Sequence, residues 1–181
     1  MPMHLYYVSH DGQARKIAER IAARLGEKGI QVIARDSSVA LPAPGELTGL
    51  VVLVAAVRYG KHLPLTDKFL SIYDVSEPKP PLVLLSVNLT ARKPEKKSAE
   101  GSTYLKKTIA KHALKPVLAR AIAGMLDYPR YRWFDKQMIR FIMFLTKGPT
   151  DPSLTVEFTD WNEVDALAAR IGELQSAPPH A

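Results

Sequence analysis

The sequence predicts an α/β protein built on a doubly wound parallel sheet of five strands. Short apolar runs alternate with segments whose apolar residues recur at helical spacing, which is typical of strands joined by crossover helices. The run 50–57 is apolar throughout and rich in valine, as expected of a strand buried on both faces. The length of 181 residues suits one domain of this class.

The elements follow one another along the whole chain. The apolar runs predict strands over residues 5–8, 30–34, 50–57, 82–87 and 117–123. In the first helix, Ile17, Ile21 and Leu25 recur at helical spacing and Gly29 marks the end. Further helices are predicted over residues 63–73, 104–114 and 161–174.

One segment interrupts this alternation. Residues 124–159 lie between the fifth strand and the last helix, where a short loop would suffice, and they are too aromatic for a disordered linker. We predict a single domain over residues 1–176 that carries this insert, and a disordered tail over residues 177–181.

Composition limits the classes of function. The absence of cysteine excludes a disulfide framework, a thiolate metal site and an iron–sulfur cluster. The first residues show no secretory signal pattern, and no apolar run approaches the roughly 20 residues of a membrane span. The net charge of +7 calls for an acidic partner, which is nucleic acid, anionic lipid or an anionic small molecule.

The loop after the first strand predicts a phosphate site. It runs into a helix N-terminus, where free backbone N–H groups and the helix dipole favour an anion. Gly12 permits close backbone approach, Ser9 offers a hydroxyl, and Asp11 is placed to cap the helix. An ordinary capped helix is the alternative. A single glycine where a dinucleotide fingerprint has three favours a mononucleotide.

This loop resembles the phosphate loop of flavodoxins, which binds flavin mononucleotide (FMN), except that Ala14 stands where flavodoxins usually have a hydroxyl residue. The resemblance implies a flavodoxin-like sheet of order 2-1-3-4-5. It also implies that Tyr59 stacks on the flavin ring, that Gly60 lets backbone approach the flavin edge, and that Asn88 holds its other face. The alternative for the loop of Tyr59 is a plain polar turn.

Longer strings resemble the flavodoxin-type, menaquinone-dependent protoporphyrinogen IX dehydrogenases. They are the segment from Ser86 to Lys96, the segment from Tyr128 to Trp133, and the shorter strings 11–13, 58–60 and 159–161. The resemblance covers nearly the whole chain. It implies FMN as cofactor, protoporphyrinogen IX as reductant, menaquinone or ubiquinone as acceptor, and a role in heme biosynthesis. It further implies a cytoplasmic protein attached peripherally to the inner face of the cell membrane.

Two sets of site residues follow from this resemblance. The residues that we predict to bind the cofactor are Ser9, His10, Asp11, Gly12, Gln13, Ala14, Val57, Arg58, Tyr59, Gly60, Ser86, Val87, Asn88 and Leu89. Because the substrate carries two propionates, basic residues near the flavin are candidates for binding it. They are Lys61, Arg92, Lys93, Lys96, Arg130 and Arg132, with Arg58 also a candidate. The run 92–97 is otherwise a solvated charged loop.

No side chain stands out as a general base. Tyr59 and His62 are the candidates, although a loop histidine is more often a surface residue. No metal is expected.

The insert contains a candidate membrane-surface helix. The apolar residues that recur at helical spacing are Phe134, Met138, Phe141, Ile142 and Leu145, and Lys136, Arg140 and Lys147 supply positive charge. The alternative is an ordinary helix that packs on the core, but apolar residues on more than one face argue against it.

Two other functions remain open on the sequence. The first is an electron-carrier flavodoxin or general quinone reductase, although carrier flavodoxins are typically acidic and this chain is basic. The second is a non-enzymatic nucleic-acid or lipid module on the same fold. No known RNA-binding motif is present, so we expect no nucleic-acid partner.

Overall fold

The computed structural model describes residues 3–176, which form a sheet flanked by helices. The strands are β1 (Met3–Val8), β2 (Val32–Asp36), β3 (Val51–Arg58), β4 (Lys61–His62), β5 (Leu82–Asn88), β6 (Leu118–Ala123), β7 (Met125–Asp127) and β8 (Thr155–Glu157). The helices are α1 (Gln13–Glu27), α2 (Pro64–Asp74), α3 (Thr103–Lys111), α4 (Trp133–Leu145) and α5 (Trp161–Ser176).

The main sheet has the predicted topology. Its parallel strands lie in the order β2-β1-β3-β5-β6, which is 2-1-3-4-5 when these strands are counted along the chain. The fold prediction is therefore confirmed. The short strand β4, which pairs with β3 in antiparallel fashion, was not predicted. The predicted tail over residues 177–181 lies outside the described residues.

The apolar run of β3 is buried on both faces, as its composition predicts. Val52 and Val54 belong to a core cluster under α1 and α5, whereas Val51 and Leu53 belong to a second cluster under α2 and α3. This division follows from the two-residue repeat of a strand. The central strand thus packs against both helical layers, and this packing fixes the position of its carboxyl end, where the site lies.

Several predicted boundaries were wrong by two or three residues, and two of these errors lie where a helix ends. Strand β2 begins at Val32 because the N–H of Ile30 still donates to the carbonyl of Leu25 at 3.1 Å, which completes the end of α1. Helix α3 ends at Lys111, since Ala113 adopts a left-handed φ of 47°. Such carbonyl-satisfying turns are common at helix C-termini.

The insert over residues 124–159 is a folded unit. It leaves and re-enters the domain through the antiparallel pair β7–β8, in which Leu126 lies opposite Val156, and it carries α4 between these strands. Leu126, Tyr128, Ile139 and Met143 form a small core of their own. Within residues 3–176, no helix is both long and apolar enough to cross a bilayer.

Candidate functional site

A cleft opens at the carboxyl ends of β1, β3 and β5, where doubly wound sheets bind ligands. The cleft is partly open to solvent. Its walls are the first loop (residues 9–14), the second loop (residues 57–62) and the third loop (residues 86–92). On the remaining side, α4 contributes Ile139, Ile142 and Met143. The insert therefore completes the cleft.

The first loop has the backbone that a phosphate site requires. Gly12 is the N-terminal cap of α1 with φ 93°, a left-handed conformation that favours glycine. Its N–H donates to the hydroxyl of Ser9 at 3.1 Å, which fixes the loop. The N–H groups of the first turn have no acceptor within the helix, so they are available to an anion. The side chain of Ala14 is buried in the core and replaces the usual hydroxyl with apolar packing.

The prediction that Asp11 caps α1 was wrong. The cap residue is Gly12, and no side chain bonds to the first turn. The Asp11 carboxylate instead accepts from Arg58 Nη1 at 3.2 Å and lies 2.9 Å from His10 Nδ1. Arg58 comes from the end of β3, so Asp11 forms a contact with a distant segment instead of the predicted hydrogen bond to its own helix. This arrangement offsets a negative charge that would otherwise repel a phosphate.

The second loop is a tight hairpin between β3 and β4. Tyr59 (φ 52°) and Gly60 (φ 76°) are both left-handed, which is the backbone of a type I′ turn. A left-handed tyrosine is strained, and such strain is found at binding sites. Tyr59 is 42% exposed at the rim of the cleft, and the Arg58 guanidinium lies 5.1 Å from the centroid of its ring. The turn therefore presents an aromatic face where a planar ring can stack.

The third loop is held from behind by a buried chain of hydrogen bonds. The Asn88 side chain accepts from the N–H of Ala91 at 3.0 Å and donates to the Ser86 hydroxyl at 3.1 Å. That hydroxyl lies 2.9 Å from His62 Nε2, and His62 Nδ1 lies 2.8 Å from the Thr108 hydroxyl. Because His62 belongs to the second loop, this chain fixes the distance between two walls of the cleft.

His62 is a buried residue, so the expectation of a surface histidine was wrong. Only 8% of it is exposed, and burial lowers its pKa from 6.5 to about 4. The ring is therefore neutral at physiological pH, with one nitrogen that donates and one that accepts. It lies behind the cleft rather than in its lining, which makes it a positioning residue.

The structure gathers most of the predicted cofactor residues around one cleft. The exceptions are Gly12, which faces a groove on the outer side of the first loop, and Ser86, which is fully buried. Those in the lining are Ser9, His10, Asp11, Gln13, Ala14, Val57, Arg58, Tyr59, Gly60, Val87, Asn88 and Leu89. Their roles in binding stay predictions.

Of the basic residues predicted to bind substrate, all except Arg58 lie outside this lining. Among residues 3–176, Arg58 is the only arginine or lysine that lines the cleft. Arg92 donates to the carbonyls of Leu89 at 2.8 Å and Thr146 at 2.7 Å, and so ties the third loop to the end of α4. Arg130 lies 3.7 Å from Asp127 at the outer groove. The others outside the lining are Lys61, Lys93, Lys96 and Arg132.

Sequence reasoning missed several lining residues. Tyr104 comes from α3, and Thr146 from the end of α4, neither of which carried a motif. Tyr131 stood in a conspicuous aromatic string, and its hydroxyl accepts from the N–H of Asp127 at 3.1 Å. The further lining residues that were missed are Ala56, Thr90, Gly124, Met125, Ile139, Ile142 and Met143.

Helix α4 has two unlike apolar faces. Ile139 and Met143 are buried against the insert core and the cleft. The opposite face, which we call the outer face of α4, is solvent-exposed. It consists of Trp133, Phe134, Met138, Phe141, Phe144 and Leu145, of which Phe134 is 79% exposed. Soluble domains rarely expose so contiguous an apolar surface without a partner.

The residues present fit a flavin mononucleotide. One wall of the cleft offers an aromatic face, and the left-handed Gly12 leads into a helix N-terminus that suits a phosphate. These features define a protein of the flavodoxin class, and residues 4–153 match the family model described as a flavodoxin domain. A flavodoxin domain takes a flavin as its cofactor.

Relatives over the whole length define the family more closely. The chain is 35% identical over 174 residues to the protoporphyrinogen IX dehydrogenase (quinone) of Escherichia coli (strain K12), with 96% of both chains covered. It is 32% identical over 179 residues to the protein of the same name from Leishmania major, covering 97% of this chain and 76% of that one. The chain belongs to the protoporphyrinogen IX dehydrogenase (quinone) family, as the sequence predicts.

Solved structures agree on the fold. A flavodoxin from the domain Archaea superposes with a TM-score of 0.53 at 15% identity, covering 98% of this chain and 100% of that one. Oxidised flavodoxin 1 from Bacillus cereus gives a TM-score of 0.52 at 12% identity, covering 97% of each chain. At such identities the likeness concerns the fold alone.

Proposed function

We propose that this chain oxidises protoporphyrinogen IX to protoporphyrin IX with FMN as cofactor and a respiratory quinone as electron acceptor. The observation that carries the proposal is the full-length relationship to dehydrogenases of that name, which includes the insert that completes the cleft. The chain thereby acts as an oxidoreductase in heme biosynthesis.

FMN fits the first loop better than a dinucleotide does. One glycine in a left-handed conformation and one helix N-terminus provide for one phosphate group. When bound, FMN supplies the chemistry that accepts hydrogen from the porphyrinogen and passes electrons to the quinone. The protein orients the reactants: Tyr59 offers a stacking face, and the buried chain from His62 to Asn88 holds the third loop.

Helix α4 limits water access on one side of the cleft. Ile139, Ile142 and Met143 give that side an apolar lining, which suits a macrocycle of low polarity and the hydrocarbon part of a quinone. The Arg58 guanidinium provides a partner for a propionate at the rim. Apolar contact thus binds the body of the substrate while charge orients its acidic edge.

The outer face of α4 is the proposed point of contact with an anionic membrane. Its exposed aromatic residues are flanked by the exposed cations Arg130, Arg132 and Lys147, a combination typical of helices that lie in a bilayer interface. Because the same helix lines the cleft, lipid-soluble reactants would reach it directly from the bilayer. The contact is peripheral.

The test of the activity is turnover in a defined mixture. FMN-loaded protein, protoporphyrinogen IX and a menaquinone or ubiquinone analogue are mixed without oxygen, and porphyrin fluorescence is followed. The proposal predicts a rise that requires protein, FMN and quinone together. If the protein binds FMN and its flavin accepts electrons from other donors, yet no porphyrin forms, the chain is an electron carrier or general quinone reductase instead.

A further inference from the structure

Arg58 is held between two carboxylates from separate parts of the chain. Its Nη2 donates to Asp135 of α4 at 2.6 Å, and its Nη1 donates to Asp11 of the first loop at 3.2 Å. The other carboxylate oxygen of Asp135 accepts a short hydrogen bond from the Tyr59 hydroxyl. The side chain of Arg58 is 12% exposed and that of Asp135 is 21% exposed, so this pair is partly shielded from water.

The carboxylate of Asp135 lies where the carboxylate of a bound ligand would contact the rim of the cleft. It lies in the first turn of α4, where the helix dipole favours a negative charge. From there it contacts Arg58, the one cation of the lining within the described part of the chain, and Tyr59, the aromatic residue of the rim. Asp11 accepts from Nη1 of Arg58, so Nη2 is the side of the guanidinium left for a ligand. A substrate propionate bound at this rim would therefore need the donors that Asp135 now uses, which are Arg58 Nη2 and the Tyr59 hydroxyl.

We propose that Arg58 is the carboxylate-binding, specificity-determining residue of the cleft, and that Asp135 competes with the substrate for it. Binding of a porphyrinogen then exchanges the ion pair of Arg58 with Asp135 for an ion pair with a propionate. The inference rests on the proposed function, since that function supplies the acidic substrate. The inference gives Asp135 of the insert a role in substrate binding, and no sequence motif indicates this role.

The exchange has a structural consequence for α4. The first turn of this helix also carries Trp133 and Phe134, whose rings contact each other edge to face with centroids 5.3 Å apart. When Asp135 gives up Arg58, the first turn loses the ion pair that links it to the second loop. Trp133, which is exposed at the start of the helix, therefore reports the exchange through its fluorescence.

The experiment compares a dicarboxylate with its ester. Protoporphyrin IX and its dimethyl ester are titrated into FMN-loaded wild type, Asp135→Asn and Arg58→Gln, with porphyrin and tryptophan fluorescence recorded. We expect Asp135→Asn to bind the diacid about 10-fold more tightly and Arg58→Gln about 10-fold more weakly, with the ester little changed in either. The control is Glu173→Gln, which removes one charge from an exposed pair with Arg170 on α5 and should change nothing.

The outcomes separate the two proposals. If wild type binds the diacid but Asp135→Asn binds it no better, or if the ester responds as the diacid does, the competition is refuted while the proposed function stands. If wild type binds neither porphyrin and does not oxidise protoporphyrinogen, both fall together. The affinity of each variant for FMN is measured alongside, and Asp135→Glu, which keeps the carboxylate, should behave as wild type.

Discussion

His62 Nε2 lies 2.9 Å from the hydroxyl of Ser86, so the second and third loops of the cleft are joined by a buried side-chain hydrogen bond. The other ring nitrogen lies 2.8 Å from the Thr108 hydroxyl of α3. One imidazole therefore connects the hairpin that carries Tyr59, the loop that carries Asn88, and a helix of the domain. The geometry of the flavin site depends on this residue, although the residue does not line it.

Replacing His62 should weaken both the fold and the site. In His62→Ala the hydroxyls of Ser86 and Thr108 lose a buried partner, which should lower the free energy of unfolding by about 2 kcal/mol. The dissociation constant for FMN should rise about 10-fold, since the two loops are no longer held together. Urea unfolding and quenching of FMN fluorescence measure the two effects. His62→Gln keeps polar groups in place and should recover part of each; equal FMN binding in all three proteins would contradict the positioning role.

The neutral state of His62 predicts a loss of stability in acid. Burial lowers its pKa from 6.5 to about 4 in the folded protein, with the charge of Asp67 opposing this only in part. The unfolded chain therefore takes up a proton first as the pH falls, and stability is lost between these two values. From pH 7 to pH 5 the free energy of unfolding should fall by about 2 kcal/mol on this account. Urea titrations at several pH values should show a steeper fall for wild type than for His62→Gln, and parallel curves would count against the assignment.

Substitution of Gly12 by alanine should weaken both the fold and FMN binding, because the backbone conformation at this position is left-handed. At φ 93° an alanine is strained by about 1 kcal/mol, even though no atom lies within 4 Å of the added carbon. We expect Gly12→Ala to bind FMN more weakly and to unfold at lower urea concentration. Gly26→Ala is the matched control, because Gly26 lies within α1 with open space beside it and alanine should stabilise that helix. Similar effects from the two substitutions would show that the left-handed cap is unimportant.

The outer face of α4 should determine binding to lipid. The double substitution of Phe141 and Phe144 by serine removes exposed aromatic surface without touching the buried side of the helix. It should weaken sedimentation with phosphatidylglycerol-containing vesicles at least about 10-fold and leave FMN binding unchanged. The control is Ile33→Ser with Val39→Ser, which removes exposed apolar residues far along the chain from the insert. Equal vesicle binding by both double variants would argue against α4 as the membrane contact.

The local patterns of the sequence were sufficient for the fold. The spacing of Ile17, Ile21 and Leu25 predicted α1, and the valine run predicted β3, because each pattern is set by the repeat of a single element. The loops after β1, β3 and β5 were predicted as parts of a site because parallel topology brings their ends together. These inferences need no knowledge of contacts between distant side chains.

The details that were wrong or missed depend on such contacts. The Asp11 side chain does not cap α1, because it instead accepts a hydrogen bond from Arg58 at the end of β3. His62 is buried because Thr108 of α3 and Ser86 of β5 provide partners. The side of α4 that faces the cleft was not predictable, since the helix is apolar on both sides and only the packing of the insert core decides between them.

The most direct test is the first half of the reaction, followed on the flavin itself. Protoporphyrinogen IX is added without oxygen or quinone to the FMN-loaded protein, and flavin absorbance and porphyrin fluorescence are recorded together. The account predicts that the flavin bleaches as porphyrin appears, and that a quinone then restores the flavin absorbance. A flavin that stays oxidised in the presence of protoporphyrinogen, while dithionite bleaches it and a quinone restores it, would contradict the proposed activity and identify a flavoprotein with another electron donor.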